Sequence, residues 1–225
     1  MGLPSHGRSQ GFKSPHLHLT KLAVTDEMLE DEDQIRSFID DRLLTFVALE
    51  EEDQLLNGSG SPPNISGILD RDIQTATQAT LGGGPLDAVH RAITQIRLVE
   101  EEPSGIVVNP SDWEIFRLAK DLNEQYYGGG PFTAAYGNSG GLAANSLWSL
   151  PVVVTAAIAE GTLLVGAFKT GAQIFRRSDI TIEATNSHGD NFVYDVTVLR
   201  AESRLALAVY KPDAFFAITG VEAES

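Results

Sequence analysis

Three groupings of residues in this sequence are of a type that could do chemistry. His188-Gly189-Asp190 sets an imidazole near a carboxylate, the pair that general acid-base catalysis uses. His6, His16 and His18 crowd three imidazoles into one stretch, a donor type that suits zinc. Gly82-Gly83-Gly84 supplies the permissive backbone of which phosphate-cradling loops are made. None of the three is completed by its surroundings. Asn186-Ser187-His188-Gly189-Asp190-Asn191 is equally a polar turn, because Asn, Ser, Gly and Asp bond their own backbone in turns, and we read it so. No carboxylate or fourth ligand stands at helical or hairpin spacing near the histidines, and no Lys-Ser or Lys-Thr pair follows the glycines. The sequence also holds no nucleophile elbow, no histidine pair at helical spacing and no dinucleotide fingerprint. No catalytic residue, metal or cofactor is therefore expected, and a hydrolase using His188 and Asp190 is the least favoured reading.

Composition narrows the remaining classes. The 225 residues can bury a substantial core, and 42% hydrophobic content excludes wholesale disorder. With 16 basic against 31 acidic residues the net charge is -15, which argues against a phosphate-binding surface, so direct nucleic-acid binding is not expected. No apolar run approaches the length of a membrane span, and Met1 to Lys13 lack the apolar segment of a secretory signal, so a soluble chain without a membrane partner is expected. There are no cysteines, which removes disulfides and thiolate metal sites and is compatible with a reducing compartment.

The elements that must position any site are organised around Thr25 to Gly60, which reads as one long acidic helix. Ile35, Phe38, Ile39, Leu43, Phe46, Val47 and Leu49 recur at three- and four-residue steps and predict one apolar stripe. Asp31 fits an N-cap with Gln34 three residues on, and Asn57-Gly58-Ser59-Gly60 before Pro62-Pro63 forbids continuation. The helix is either a strut for several elements or an ordinary amphipathic core helix. Leu17, Leu19, Leu22 and Val24 predict a short strand leading into it. Asn64 to Gly84 reads as a mobile connection, and Leu86, Val89, Ile93 and Ile96 as a second amphipathic helix. Ile106-Val107-Val108 predicts a strand buried on both faces. It turns into a helix capped by Asn109, with Pro110 first, Asp112 in the first turn, and Trp113, Phe116 and Ala119 inward.

Gly128-Gly129-Gly130-Pro131 and Gly137 to Gly141 bracket an open loop carrying Tyr126, Tyr127, Phe132 and Tyr136. These rings suit a binding surface and a plain connection equally. Beyond Trp148, strands are expected at Pro151 to Thr155, Thr162 to Val165, Ile180 to Ala184, Val193 to Leu199 and Leu205 to Val209. Helices come first and strands later without a βαβ repeat, so the fold class is α+β.

Five ordered blocks resemble one family. They are Thr25-Asp26-Glu27-Met28-Leu29-Glu30-Asp31, Gln54-Leu55-Leu56-Asn57-Gly58, Ser104 to Trp113, Leu147-Trp148-Ser149-Leu150-Pro151-Val152-Val153, and Asn191-Phe192-Val193 continuing through Glu202 to Tyr210 and Pro212. From Val24 onward the chain resembles the major capsid proteins of tailed bacteriophages, coat proteins of the Hong Kong 97-type fold. The resemblance implies a flexible leader over 1–23, a peripheral domain with a spine helix and long strands over 24–63 and 178–210, and an axial domain over 64–177 and 211–225. It implies a structural protein whose partners are copies of itself, in pentamers and hexamers of a shell, with portal and scaffold or protease proteins as further partners. It also implies location in the virion after assembly in the bacterial cytoplasm. A nanocompartment shell of the same fold is the alternative.

Subunit contacts are then expected at Tyr126, Tyr127, Phe132, Tyr136, Asp195, Glu202 and Arg204. Where relatives weld subunits through a Lys and an Asn assisted by a Glu, Glu202 stands at the position of the Glu. The acceptor position holds Asp195, and a carboxylate is a poor electrophile, so crosslinking is not expected. A short polar leader stands where the family has an N-terminal arm and an extended loop, and weak or aberrant assembly is the expectation for this chain alone.

Overall fold

The acidic stretch is helical over Asp33–Asn57 (α1), and its inward side is one row at four-residue steps: Ile39, Leu43 and Val47, continued by Glu51 and Gln54, all buried. The computed structural model describes residues 16–25, 33–120, 123–124, 145–187 and 191–221, with backbone alone for 16–21, 33–37 and 40. The proposed cap Asp31 lies outside the described residues, and Thr25 ends a strand instead of opening the helix. At the other end Gly58 N–H donates to Gln54 O at 3.1 Å, and a side chain at Gly58 would meet Ile65 O at 2.3 Å, so the glycine is sterically required. The single stripe expected from the sequence is split. Phe38, Phe46 and Leu49 are 63%, 42% and 56% exposed, because α1 has one narrow partner surface and these residues lie round the helix from it. Arg42 covers part of that outer row, its guanidinium 6.0 Å from the Phe38 ring and 5.5 Å from the Phe46 ring.

That partner surface is a three-stranded antiparallel sheet in the order β1-β8-β7. Its strands are His16–Thr25 (β1), Ala172–Thr185 (β7) and Val196–Val209 (β8). β1 runs against β8 from His16 opposite Leu205 to Thr25 opposite Val196. Val24, Leu199 and Ala201 pack on Ile39, Leu43 and Val47, with Leu22, Ile180 and Ile182 at the margin. The two strands expected at Val193 to Leu199 and Leu205 to Val209 are one strand of 14 residues, and 191–195 form the turn before it. Leu199, Ala201, Ser203 and Leu205 alternate inward throughout; the small Ala201 and polar Ser203 hide the period from a search for bulky residues. β7 likewise starts at Ala172, well before Ile180, and its pairing shifts register around Arg176 and Ser178.

A six-stranded sheet forms the second layer, in the order β2-β9-β6-β3-β5-β4. Its strands are Gln74–Thr77 (β2), Gly105–Val108 (β3), Ser146–Leu147 (β4), Leu150–Val154 (β5), Thr162–Gly166 (β6) and Phe215–Thr219 (β9). β3 is buried along its whole length, as its apolar run requires. One face carries Pro85–Leu98 (α3) through Val89, Ile93 and Ile96; the other holds Leu56, Ile68 and Phe215. Gln78–Leu81 (α2) precedes α3, Pro110–Leu118 (α4) follows β3, and Phe168–Gly171 (α5) precedes β7. Asn109 caps α4 by accepting from Ser111 N–H at 3.0 Å.

The stretch expected to be a mobile connection is instead built into the core. Ile65, Ile68 and Ile73 are buried, Gly67 N–H donates to Gly58 O at 2.7 Å, and β2 pairs parallel with β9. Its Thr-rich composition suits a half-buried edge strand, which polarity alone disguises. Arg71 Nη2 donates to Ser66 O and Leu207 O at 3.0 and 3.1 Å, tying this segment to the end of β8.

Candidate functional site

One turn beyond Val47, the buried row of α1 continues with Glu51, so a carboxylate is carried under the ribbon of β7 and β8. Arg176 answers it bidentately, Nη1 and Nη2 each donating at 2.9 Å, and Ser203 Oγ donates to Oε1 at 2.5 Å. The bond to Glu51 holds the Arg176 guanidinium above its ordinary pKa. This clasp fixes α1 to both strands where β7 is irregular.

Beside the clasp a groove of about 600 Å³ opens between α1, the base of the ribbon and the six-stranded sheet. Leu56, Ile68, Val107 and Leu207 form part of its lining, with Val153 and Ile174 exposed within it. Of its ionisable lining residues, Glu51 is already engaged by Arg176, which leaves Glu52. Such a lining excludes water from an apolar guest and has no acid facing a base; what it can do is bind. At the far end of the ribbon the turn 191–195 presents Phe192, Val193 and Tyr194 at 74%, 74% and 72% exposure.

The residues singled out from sequence are scattered. Tyr126, Tyr127, Phe132 and Tyr136 lie outside the described residues, as do His6, His188 and Asp190. His16 and His18 stand in β1 opposite Leu205 and Ser203. Asp195 is exposed in the turn with φ 50°, in the left-handed region. Glu202 lies in β8 between Leu19 of β1 and Thr181 of β7, its Oε2 3.6 Å from Arg200 Nη2, while Arg200 also bonds Glu183. Arg204 is exposed on the same side of β8. At about 3.3 Å per residue the ribbon holds Asp195 and Glu202 on the order of 20 Å apart, so one copy does not bring them together. Among the described residues no three His, Asp or Glu are placed to hold a metal, and no helix is long and apolar enough to cross a membrane.

Sequence reasoning missed the clasp, the groove and the true setting of Asp112. That carboxylate is buried and receives Gly161 N–H at 3.1 and 2.9 Å; desolvation raises its pKa despite this bond, and Glu160 adds to the rise. A carboxylate continuing an apolar helical row was the available signal for Glu51.

Comparison with known proteins agrees with this architecture. The model of the phage capsid family matches residues 13–220. The major capsid protein of Enterobacteria phage HK97 is 39% identical over 193 residues, covering 84% of this chain and 47% of that protein. The chain thus spans about half the length of that curated relative. Among solved structures, that of Gordonia phage Cozz superposes with a TM-score of 0.68 at 13% identity, over 100% of this chain and 80% of the other. The capsid of an empty GTA particle gives 0.65 at 15%, over 98% and 81%. These likenesses show an α+β fold of the Hong Kong 97 capsid type. With the family pattern extending over nearly all of its residues, this chain belongs to the phage capsid family.

Proposed function

We propose that the chain is the shell-forming part of a major capsid protein, a structural tile and not an enzyme, that associates with copies of itself in five- and six-membered rings of a closed shell. The observation that carries this is the 39% identity to a phage coat protein sustained over 193 residues. A head-to-tail contact repeated around an axis closes a ring, and each contact can be weak because several neighbours hold every tile at once. In this reading α1 and the ribbon belong to a peripheral domain of residues 24–63 and 178–210. Residues 64–177 and 211–225 form the axial domain, with the loop around Tyr126 to Gly141 facing neighbours. Portal and scaffold or protease proteins are its further partners, and the virion its location. A nanocompartment shell is not favoured, since the relative matched in sequence is a phage coat protein.

Two features of the chain fit that role. The net charge of -15 makes the wall repel a packaged genome, so DNA is retained by enclosure and not by adhesion. Asp195 in the acceptor position disfavours isopeptide welding, so subunits separate in denaturant. Sedimentation velocity of the purified chain over a range of concentrations tests the proposal. Species heavier than the 24.2 kDa monomer, growing with concentration, are expected; a monomer at every concentration and salt condition would overturn it.

A further inference from the structure

The histidines of β1 have no part in the coat reading, yet the strand register sets them beside the Glu51 clasp. His18 stands opposite Ser203 and His16 opposite Leu205. Residues directly opposite in an antiparallel pair share one face of the sheet, so both histidine positions belong to the face on which α1 packs. Ser203 and Leu205 are fully buried there, and Ser203 Oγ donates to Glu51. From the other side of β8, Arg176 stands opposite Leu205 and holds the same carboxylate. A permanent cation on β7 and histidine positions on β1 therefore flank one buried carboxylate, each about 4.8 Å from β8, the ordinary strand spacing.

We propose that His18 makes this clasp a pH-sensitive latch, which holds the edge strand β1 to α1 more firmly in acid than in alkali. The surrounding charges set the sign. On α1 the carboxylate at this level is Glu51, with Glu50 and Glu52 to either side. On β7, Asp179 acts on Arg176 in the same sense as Glu51, and Arg177 falls where the pairing shifts register. On β8, Arg200, Glu202 and Arg204 take the alternate positions and belong to the other face, as does Lys21 of β1. Acidic groups thus prevail around the latch, and an imidazolium is favoured there over one in the unfolded chain. Histidine changes charge near about pH 6.5, so its support is full below that range and is lost as pH rises through the folded midpoint. β1 is an edge of the three-stranded sheet, and its release bares the backbone of β8, a template for pairing with another chain. Proton concentration then decides how well that edge stays covered.

Hydrogen exchange of the full chain at low salt, read at the β1 amides of residues 19–23, tests the latch. Wild type and His18→Gln are compared at about pH 5.5 and about pH 8, so that the intrinsic exchange rate cancels in their ratio. Protection of the wild type relative to His18→Gln is expected to fall about tenfold over that interval, the change produced by a one-unit difference between folded and unfolded midpoints. In a Glu51→Gln background the same ratio is expected to be flat. A ratio that does not change with pH, that rises with it, or that falls equally without the Glu51 carboxylate overturns the proposal. Should Glu51→Gln fail to fold, the midpoint of the His18 imidazole in an NMR titration of the wild type decides. A midpoint above that of the urea-unfolded chain is expected, and one equal to it or below it overturns the latch.

Discussion

Asp112 is held by the fold in an environment that works against its own charge. Burial raises its pKa above the unfolded value even though Gly161 N–H donates to both oxygens. A carboxylate with a raised folded pKa supports the fold fully below the ordinary aspartate range and loses that support as pH rises through the raised value. Asp112→Asn keeps an acceptor for Gly161 and removes the titration. In urea unfolding, the variant's stability relative to wild type is therefore expected to improve between acidic and neutral pH, and a constant difference would contradict the assignment. Glu101 has the opposite sign. Its bonds from Lys211 and Thr170 hold its pKa down, so its contribution is present above the ordinary glutamate range and fades as pH falls. At the clasp, Glu51→Ala strands the Ser203 hydroxyl in a buried site while Arg176 can still reach water. A loss of about 1–3 kcal/mol is expected by chemical denaturation. Glu51→Leu together with Ser203→Ala should restore part of it, because the two buried polar groups are then replaced by apolar ones while the exposed Arg176 stays in water.

At the scale of elements, α1 separates two kinds of apolar residue that the sequence presents alike. Leu43→Ala empties a fully buried site and is expected to cost about 2–5 kcal/mol, whereas Phe38→Ser should shift stability by no more than roughly 0.5 kcal/mol. Equal losses in the two variants would mean that the outer row is buried after all. The second helix and the Asn109-Pro110 start of α4 were legible because local rules determine them: a 3.6-residue period, a cap, a proline with fixed φ. The outer row of α1 was misjudged since periodicity gives a direction but not the width of the surface opposite. β2 was taken for a connection and β9 went unread because both depend on pairing with distant segments, β2 with β9 across more than a hundred residues and β9 also with β6. Ser203 and Glu51 could be identified as polar, yet only the approach of α1 to β8 makes them partners. The groove was invisible for the same reason: its lining comes from α1, β3, β5, α5, β7, β8 and the loop before β2, whose meeting no local pattern encodes.

For the whole molecule, charge decides when copies can approach. A net charge of -15 opposes association of like tiles, and screening shortens that repulsion to about 8 Å at physiological ionic strength. Self-association by sedimentation should therefore strengthen as salt is raised, opposite to the behaviour of a contact held by ion pairs. The same charge predicts no retardation of duplex DNA by the purified chain at low salt. The central claim is that the working parts of this protein are edges that meet other copies, arranged head-to-tail. Electron microscopy of the purified chain at raised salt, with class averages sorted by rotational symmetry, tests it most directly. Five- or six-fold rings, or curved pieces of them, are the predicted result; particles that remain single copies, or two-fold dimers with one face against itself, would contradict it.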